Sequence, residues 1–441
     1  MPDTVALHTI GCKLNFSETS TIGNQFLLNG YNLVPLDSSA DIYVFNTCTV
    51  TENAERDCRQ LIRKALRRNP NAYIIVTGCY AQLRPDEIAG IEGVDAVLGS
   101  NEKFQLFSLL NNFNSSNIAC VHVGSLDDVN EFGDAHSTDA DSRTRAYFKI
   151  QDGCDYNCTF CTIPLARGTS RSMDPNKAVE EFRKLVEDGY KEIILTGVNV
   201  GDYGKKYNVE FYDLLLKLIQ VEGEFRIRIS SIEPNLLSDG IIDLIAEEDK
   251  ICNHLHIPLQ SGSPEILNSM QRRYTIKDYE NVIMQAHEKI IDLGIGVDII
   301  VGFPGETENH FIETHNFLRD LPISYLHVFT YSERPDTKAI YLPNMVKIKE
   351  RKRRNKILRI LSEKKKRSFY ENMVGKISTV LFEDAAIDEI MKGFTSNYIR
   401  IINDYDKSVI NKLEDIEITG LTNDGFCTGR LMDTKYSIDI V

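Results

Sequence analysis

Three regimes of hydrophobic patterning divide the chain. Over residues 1–115, apolar runs at Val5–Ile10, Asp41–Asn46, Tyr73–Thr77 and Val94–Leu98 alternate with stretches of helical period at Glu18–Leu28, Ala54–Arg68 and Pro85–Ile91. Such alternation predicts a parallel sheet with helices on its faces. Residues 124–144 then lose periodicity and become rich in Asp, Ser and Gly, as a linker does. A second alternating region follows, with strands predicted at Tyr147–Ile150, Ile193–Thr196, Arg226–Ser230, His254–Pro258, Gly296–Val301 and Leu326–Thr330. Each gap admits one crossover helix, and six such units fall short of the eight that close a full barrel. The expectation is an α/β (βα)6 partial TIM barrel, open on one side to a large substrate. After a helix-forming stretch, the chain switches to short alternating runs (Ile377–Leu381, Tyr398–Ile402, Ile416–Leu421) split by Gly, Asn and Asp, which reads as a small antiparallel β-barrel. The predicted organisation is a first domain over 1–120, a linker over 121–144, the part-barrel over 145–345, a connecting helix over 346–370 and the β-barrel over 371–441.

Composition changes this picture little. With 441 residues, 42% apolar and 26% charged, the chain is of ordinary globular make-up. Its most apolar stretch, Ile290–Phe303, is broken by Asp292 and Asp298, and no run approaches the roughly 18 apolar residues of a membrane span. No Lys or Arg precedes Lys13, so no signal peptide is expected, and the reading is a cytoplasmic protein with no membrane partner. Charge matters more. The net charge of 50 − 64 = −14 argues against a uniformly basic coat for nucleic acid, yet Lys347–Arg367 holds twelve basic residues against Glu350 and Glu363. Such a run is either a solvated face or a track for an anionic partner.

Ten cysteines in a cytoplasmic chain read as thiols, ligands or catalysts rather than disulfides, so their spacing carries the chemistry. Cys154, Cys158 and Cys161 form a C-x3-C-x2-C loop just after a predicted strand. Three thiolates this close repel one another unless a metal neutralises them. A closed zinc site wants four ligands and no fourth Cys or His lies nearby, whereas iron–sulphur clusters are held by cysteine thiolates, and three ligands on a four-iron cube leave one iron open. Cys12, Cys48 and Cys79 end the first three predicted strands of the N-terminal region. Ligands bind outside the carboxyl ends of open parallel sheets, so these three can converge on one cluster; the alternative is three small core residues. Cys58, Cys120, Cys252 and Cys427 are read as structural. Candidate cofactor contacts at successive barrel strand ends are Gly197 and Asn199, Ser231 and Glu233, Gln260 and Ser261, and Asp298 and Gly302. Gly197 lets backbone approach a ligand, and Glu233 reads equally well as a solvated loop carboxylate.

The cysteine loop, with Phe160 directly before its third cysteine, resembles that of the radical S-adenosylmethionine enzymes. Over nearly its full length the chain resembles the tRNA methylthiotransferases. The wording Gly11-Cys12-Lys13-Leu14-Asn15, Asn46-Thr47-Cys48-Thr49-Val50-Thr51 and Thr77-Gly78-Cys79-Tyr80-Ala81-Gln82 is similar to the branch acting on N6-threonylcarbamoyladenosine. Gln151-Asp152-Gly153, Ala166-Arg167-Gly168 and Tyr331-Ser332-Glu333-Arg334-Pro335 extend the likeness. The resemblance implies a flavodoxin-like N-terminal domain, a TRAM barrel at the C-terminus and two 4Fe–4S clusters. One cluster would be held by Cys12, Cys48 and Cys79. The other, held by Cys154, Cys158 and Cys161, would bind S-adenosylmethionine at its open iron. It further implies replacement of the C2 hydrogen of a modified adenine, at position 37 beside the anticodon, by a methylthio group. Its partners would be the tRNA anticodon loop and a flavodoxin or ferredoxin electron donor. An aspartate of a ribosomal protein, an isopentenyladenosine-type tRNA and a non-catalytic RNA-binding scaffold are the alternatives. Residues 371–441 carry seven basic against thirteen acidic residues, so RNA contacts must be local: Lys392, Tyr398 and Arg400 with Lys364, Lys365, Lys366 and Arg367, or a second track that includes Arg56 and Arg63.

Overall fold

The computed structural model describes residues 3–49, 52–110, 113, 118–126, 129, 131–136, 144–387 and 389–432. Val50 and Thr51 of the second cysteine motif, positions 127–128, 130 and 137–143 of the expected linker, and positions 433–441 of the expected barrel lie outside them.

The N-terminal sheet has strands β1 (Thr4–Thr9), β2 (Asn32–Leu33), β3 (Ile42–Thr47), β4 (Tyr73–Gly78), β5 (Ala96–Leu98) and β6 (Cys120–His122). They run in the order β2-β1-β3-β4-β5-β6 with every pairing parallel. β3 and β4 are buried along their whole length, as strands sandwiched between helices must be. This is the doubly wound flavodoxin-like order, whose ligand crevice lies at the switch point between β1 and β3. Two short strands, β2 and β6, lacked an alternating run to reveal them. β6 extends the sheet into the segment expected to be linker.

Six parallel strands follow in chain order: β7 (Arg145–Lys149), β10 (Glu192–Thr196), β11 (Arg226–Ile229), β12 (His254–His256), β13 (Gly294–Val301) and β14 (Tyr325–Thr330). Between the first two, β8 (Gln151–Asp152) and β9 (Arg171–Ser172) form an antiparallel clip around the three-cysteine loop. The ladder loosens between β11 and β12, where single bridges Ile227–Ile251 and Ser231–His256 carry the sheet across. One continuous core, including Phe148, Leu195, Ile229, Leu255 and Val297, joins the strands to their crossover helices. The expected open (βα)6 arrangement is present.

The helix Ile348–Glu371 packs on β14, with Leu358 and Leu361 in the barrel core. Its basic run is not simply a solvated face. Buried Arg354 pairs with Glu306 at 2.6 Å, and buried Arg351 with Glu333 at 2.5 Å. Arg353 pairs with Glu308 and Glu350, both at 2.6 Å. Much of the self-repulsion expected of this run is therefore relieved inside the chain.

The C-terminal strands β15 (Ile377–Ile387), β16 (Ile390–Thr395), β17 (Arg400–Asp404), β18 (Leu413–Leu421) and β19 (Cys427–Leu431) close a five-stranded barrel in the order β15-β16-β17-β19-β18. It is not wholly antiparallel, since β17 and β19 pair in parallel. Tyr398 is not in a strand as expected: at φ 72° it sits in the tight turn joining β16 to β17. This turn docks on the N-terminal ends of the part-barrel strands. Arg226 donates to the carbonyls of Thr379 and Phe394, and Arg228 to those of Thr395 and Ser396. A Cβ at Gly294 would lie 2.2 Å from the Asn397 carbonyl oxygen, so only glycine permits the contact.

Candidate active site

The fold delivers Cys12, Cys48 and Cys79 to the carboxyl ends of β1, β3 and β4, across the switch point. Cys12 is exposed and precedes the helix Lys13–Leu28; buried Cys48 follows β3; buried Cys79 opens the helix Cys79–Leu83. Two glycines make the convergence possible. Gly11, at φ 121°, would place a Cβ 2.7 Å from Cys48 Cβ, and Gly78, at φ 96°, would place one 2.4 Å from the Thr47 carbonyl oxygen. Burial pushes the Cys79 thiol up, opposed by the charges of Arg167 and Lys103.

The barrel loop has complementary chemistry. Each of its three sulphurs accepts one N–H: Cys154 from Tyr156 at 3.4 Å, Cys161 from Ile163 at 3.4 Å, and Cys158 from the Arg272 guanidinium at 3.0 Å. Donors aimed at sulphur suit thiolates. Burial first, with the neighbouring thiols, pushes Cys154 up to about 11 and Cys161 up to about 12 against the backbone N–H groups they accept, so these thiols ionise at neutral pH only beside a compensating cation. The donor set and its surroundings fit an iron–sulphur cluster.

Between the two thiol groups lies a buried charge network in which Asn15, Asp152 and Arg167 come from motifs of the resemblance, while no sequence pattern indicated Glu18, Lys103 or Lys149. Glu18, fully buried, receives Arg167 at 2.9 Å, Lys103 at 2.5 Å and Lys149 at 3.1 Å. Arg167 also reaches Asp152 at 2.9 Å and Asn15 Oδ1 at 2.7 Å, and Lys149 reaches Asp152 at 2.7 Å. Glu18, Asn15 and Lys103 belong to the N-terminal domain, Arg167, Lys149 and Asp152 to the part-barrel. With Arg171, 3.8 Å from Asp152, four cations face two carboxylates beside Cys79. The surplus positive charge is what a set of thiolates requires. The surrounding cations hold both carboxyls well below the usual range despite their burial.

The strand-end candidates divide. Glu233 is not a solvated loop carboxylate: it is mostly buried and pairs with Arg272, the residue that also donates to Cys158. Asn199 is buried, with its Nδ2 unpartnered and its Oδ1 accepting the Glu233 N–H at 3.3 Å. Ser231 contacts His256 Nδ1 at 2.8 Å, and Asp298 contacts His256 Nε2 at 2.8 Å. Gln260 adopts φ 70° beside Asp298, whose carbonyl accepts its N–H. Phe160 packs edge-on against Phe303. Three further candidates lie close against the protein's own side chains. The missing Cβ of Gly197 admits Gln151 Oε1, which a methyl would approach to 2.8 Å, and at Gly302 a Cβ would lie 2.2 Å from Arg351 Cγ. Ser261 is buried against Thr314 of the neighbouring helix. Arg272, Arg167 and Gln151 carry more of the site than sequence spacing revealed.

The RNA candidates divide too. Lys366, Lys392, Tyr398 and Arg400 line one cavity of about 500 Å³ with Tyr325, His327 and Phe426. Lys392 lies 5.5 Å over the Phe426 ring, and Arg400 pairs with Glu383 at 3.0 Å. Lys364 and Arg367 are exposed, with Arg367 paired along its helix to Glu371 at 2.8 Å. Lys365 is partly committed, its ammonium capping the helix Glu308–Asp320 by donating to the Leu321 carbonyl. Arg56 and Arg63 are exposed on the helix Glu52–Arg68 of the N-terminal domain.

A three-cysteine loop at the end of the first strand of an open six-unit barrel defines the radical S-adenosylmethionine class, and the family model described as Radical SAM superfamily matches residues 148–318. The model described as uncharacterized protein family UPF0004 matches residues 4–99. The threonylcarbamoyladenosine tRNA methylthiotransferase MtaB of Bacillus subtilis is 41% identical over 431 residues, covering 94% of this chain and 93% of that protein. The protein of the same name from Thermotoga maritima is 34% identical, covering 97% of each. A tRNA-2-methylthio-N(6)-dimethylallyladenosine synthase of Thermoanaerobacter pseudethanolicus is 34% identical, covering 94% of this chain and 89% of that one. The chain belongs to the radical S-adenosylmethionine tRNA methylthiotransferase family, alongside the MtaB proteins. In fold it is similar to the solved radical S-adenosylmethionine methyltransferase TsrM from Kitasatospora setae, with a TM-score of 0.55 at 15% identity and 77% of each chain covered.

Proposed function

We propose that the chain converts N6-threonylcarbamoyladenosine at position 37 of tRNA to its 2-methylthio derivative. An unactivated aromatic C–H is too weakly acidic for a general base, so the reaction calls for a radical route. Cys154, Cys158 and Cys161 would hold the 4Fe–4S cluster whose electron cleaves S-adenosylmethionine to the radical that takes up the C2 hydrogen, and Cys12, Cys48 and Cys79 would hold a second one carrying the sulphur, which a second S-adenosylmethionine would methylate. The chain's own residues hold and shield these groups. Arg272 donates to Cys158 and is fixed by Glu233. The unpartnered Asn199 Nδ2 offers a donor at the strand ends, where cofactor binds in this architecture. Arg167 and Glu18 fix the two thiol groups relative to one another. That buried link between two three-thiol sites is the observation that carries the reading.

A loop nucleotide beside the anticodon is splayed into a pocket at low cost. The reading places the enzyme in the cytoplasm, with a flavodoxin or ferredoxin as electron donor. The test is mass spectrometry of tRNA nucleosides from cells with and without the gene. Loss of the 2-methylthio-threonylcarbamoyl nucleoside is expected. Its persistence, or loss of a methylthio-isopentenyl nucleoside instead, would overturn the assignment.

A further inference from the structure

The inner wall of the part-barrel carries His256 at the end of β12, Asp298 on β13 and His327 on β14, with ligand atoms all within 4.8 Å of one another. Such a group first suggests a divalent cation. His256, however, is committed on both ring nitrogens, to Ser231 and to Asp298. A further cation already stands in the same field: Lys13 acts electrostatically on Asp298 and on His327. A resident ammonium opposes a metal and favours an anion.

Lys13 reaches inward from the residue after Cys12, with its Nζ 5.8 Å over the Tyr398 ring. The charge around it is unbalanced. Arg145, Arg226, Arg228 and Arg400 share two carboxylates, Glu192 and Glu383. Among the described residues, no carboxylate lies within ion-pair distance of Lys13. Tyr398 and His327, its neighbours, also line the cavity of about 500 Å³, a volume suited to a nucleoside-sized ligand. His327 stands exposed there, edge-on to His256 at 5.4 Å. The chamber itself presents Tyr398 and the His327 imidazole together with Lys366, Lys392 and Arg400, and Lys13, beside the proposed sulphur-bearing Cys12, adjoins it through the Tyr398 ring.

N6-threonylcarbamoyladenosine differs from adenosine by a substituent ending in a carboxylate. We propose that Lys13 is a specificity-determining residue that pairs with this carboxylate, with Tyr398 and His327 flanking the threonyl end. The inference rests on the methylthiotransferase reading above. A charge-assisted bond to an otherwise unpaired cation is strong, and a site built for a charged group discriminates against the neutral analogue.

The test uses the full-length reconstituted enzyme and two synthetic anticodon stem-loops, one with the free threonyl carboxylate and one with the carboxamide in its place. Filter binding and methylthio product are both read. Wild type is expected to bind the carboxylate RNA about 10- to 100-fold more tightly. Lys13→Met should bind both RNAs as wild type binds the amide, and Lys13→Arg should keep the preference. Because Lys13 adjoins Cys12, iron content is measured for each variant. The wild-type comparison needs no variant, and equal binding of the two RNAs would overturn the assignment on its own. So would a preference retained in iron-replete Lys13→Met. Wild type that methylthiolates both RNAs equally refutes only the role of Lys13, whereas wild type that binds but modifies neither refutes the functional reading.

Discussion

At the scale of the residue, the proposed chemistry assigns two roles to six thiols, and experiment can separate them. Changing Cys154, Cys158 and Cys161 to Ala should leave about half the iron and abolish formation of 5′-deoxyadenosine. Changing Cys12, Cys48 and Cys79 should also halve the iron, yet leave reductive cleavage of S-adenosylmethionine in place while methylthio product disappears. Product retained by that second variant would return those cysteines to core filler. Arg272 gives a finer prediction. It supplies the only side-chain hydrogen bond to the three barrel sulphurs among the described residues, at 3.0 Å to Cys158. Outer-shell partners of metal ligands typically contribute about 10- to 100-fold in affinity or activity. Arg272→Met should therefore reduce cluster retention or cleavage rate by that factor, read as iron content and 5′-deoxyadenosine yield, and no change in either would deny it that role. The placing of the cysteines in two groups was legible in the sequence because tight spacing and strand ends are local signals. Arg272 was not, since its partners Glu233 and Cys158 lie far away along the chain and nothing local distinguishes it from Arg273.

At the scale of the element, the helix Ile348–Glu371 shows how a charge run misleads when its partners are distant. Its length and its apolar contacts Leu358 and Leu361 were readable from period alone. The fate of its cations was not, because the carboxylates that claim them, Glu306, Glu308 and Glu333, sit on other elements. Lys365 has a backbone partner as Arg351, Arg353 and Arg354 have carboxylate ones, and Lys364 and Lys366, with Arg367 paired along its own helix to Glu371, stay the candidates for phosphate. The prediction sharpens accordingly. Reversing Lys366, Lys392 and Arg400, which share one cavity, to Glu should weaken tRNA binding and flatten the dependence of log affinity on log salt by roughly 0.7–0.9 for each phosphate that is no longer neutralised. Arg354→Met should leave that slope unchanged and destabilise the fold instead, because it strands Glu306 in a buried position. A filter-binding titration on the two proteins decides, and equal slopes in the charge-reversal variant and wild type would remove the track.

At the scale of the whole molecule, the arrangement depends on holding two sequence-distant thiol groups in register, and the Glu18 network does this across the domain boundary. Alternating strands and helices revealed both domains, yet no pattern told how they meet, since a buried Glu, Lys or Arg in an amphipathic stretch looks the same whether it faces water or a partner. Removing one member of a buried, hydrogen-bonded charge network costs about 3–5 kcal/mol, because the stranded charges lose their counter-ion without regaining water. Among the described residues, Glu18→Gln leaves Arg167 and Lys149 with Asp152 as their remaining carboxylate and Lys103 with none in an ion pair. The first thermal transition should therefore fall by on the order of 10 °C. The pH dependence has a definite sign. The cations hold the Glu18 carboxyl well below its ordinary value of 4.5, so its contribution is complete above that value and is lost only as pH falls towards the depressed folded one. The stability difference between wild type and Glu18→Gln should stay flat from pH 8 down to about 5.5 and shrink only in stronger acid. Calorimetry across that range measures it. A difference that already collapses near neutral pH would mean that Glu18 is not ionised among these cations, and a missing difference would mean that the two domains are held together elsewhere.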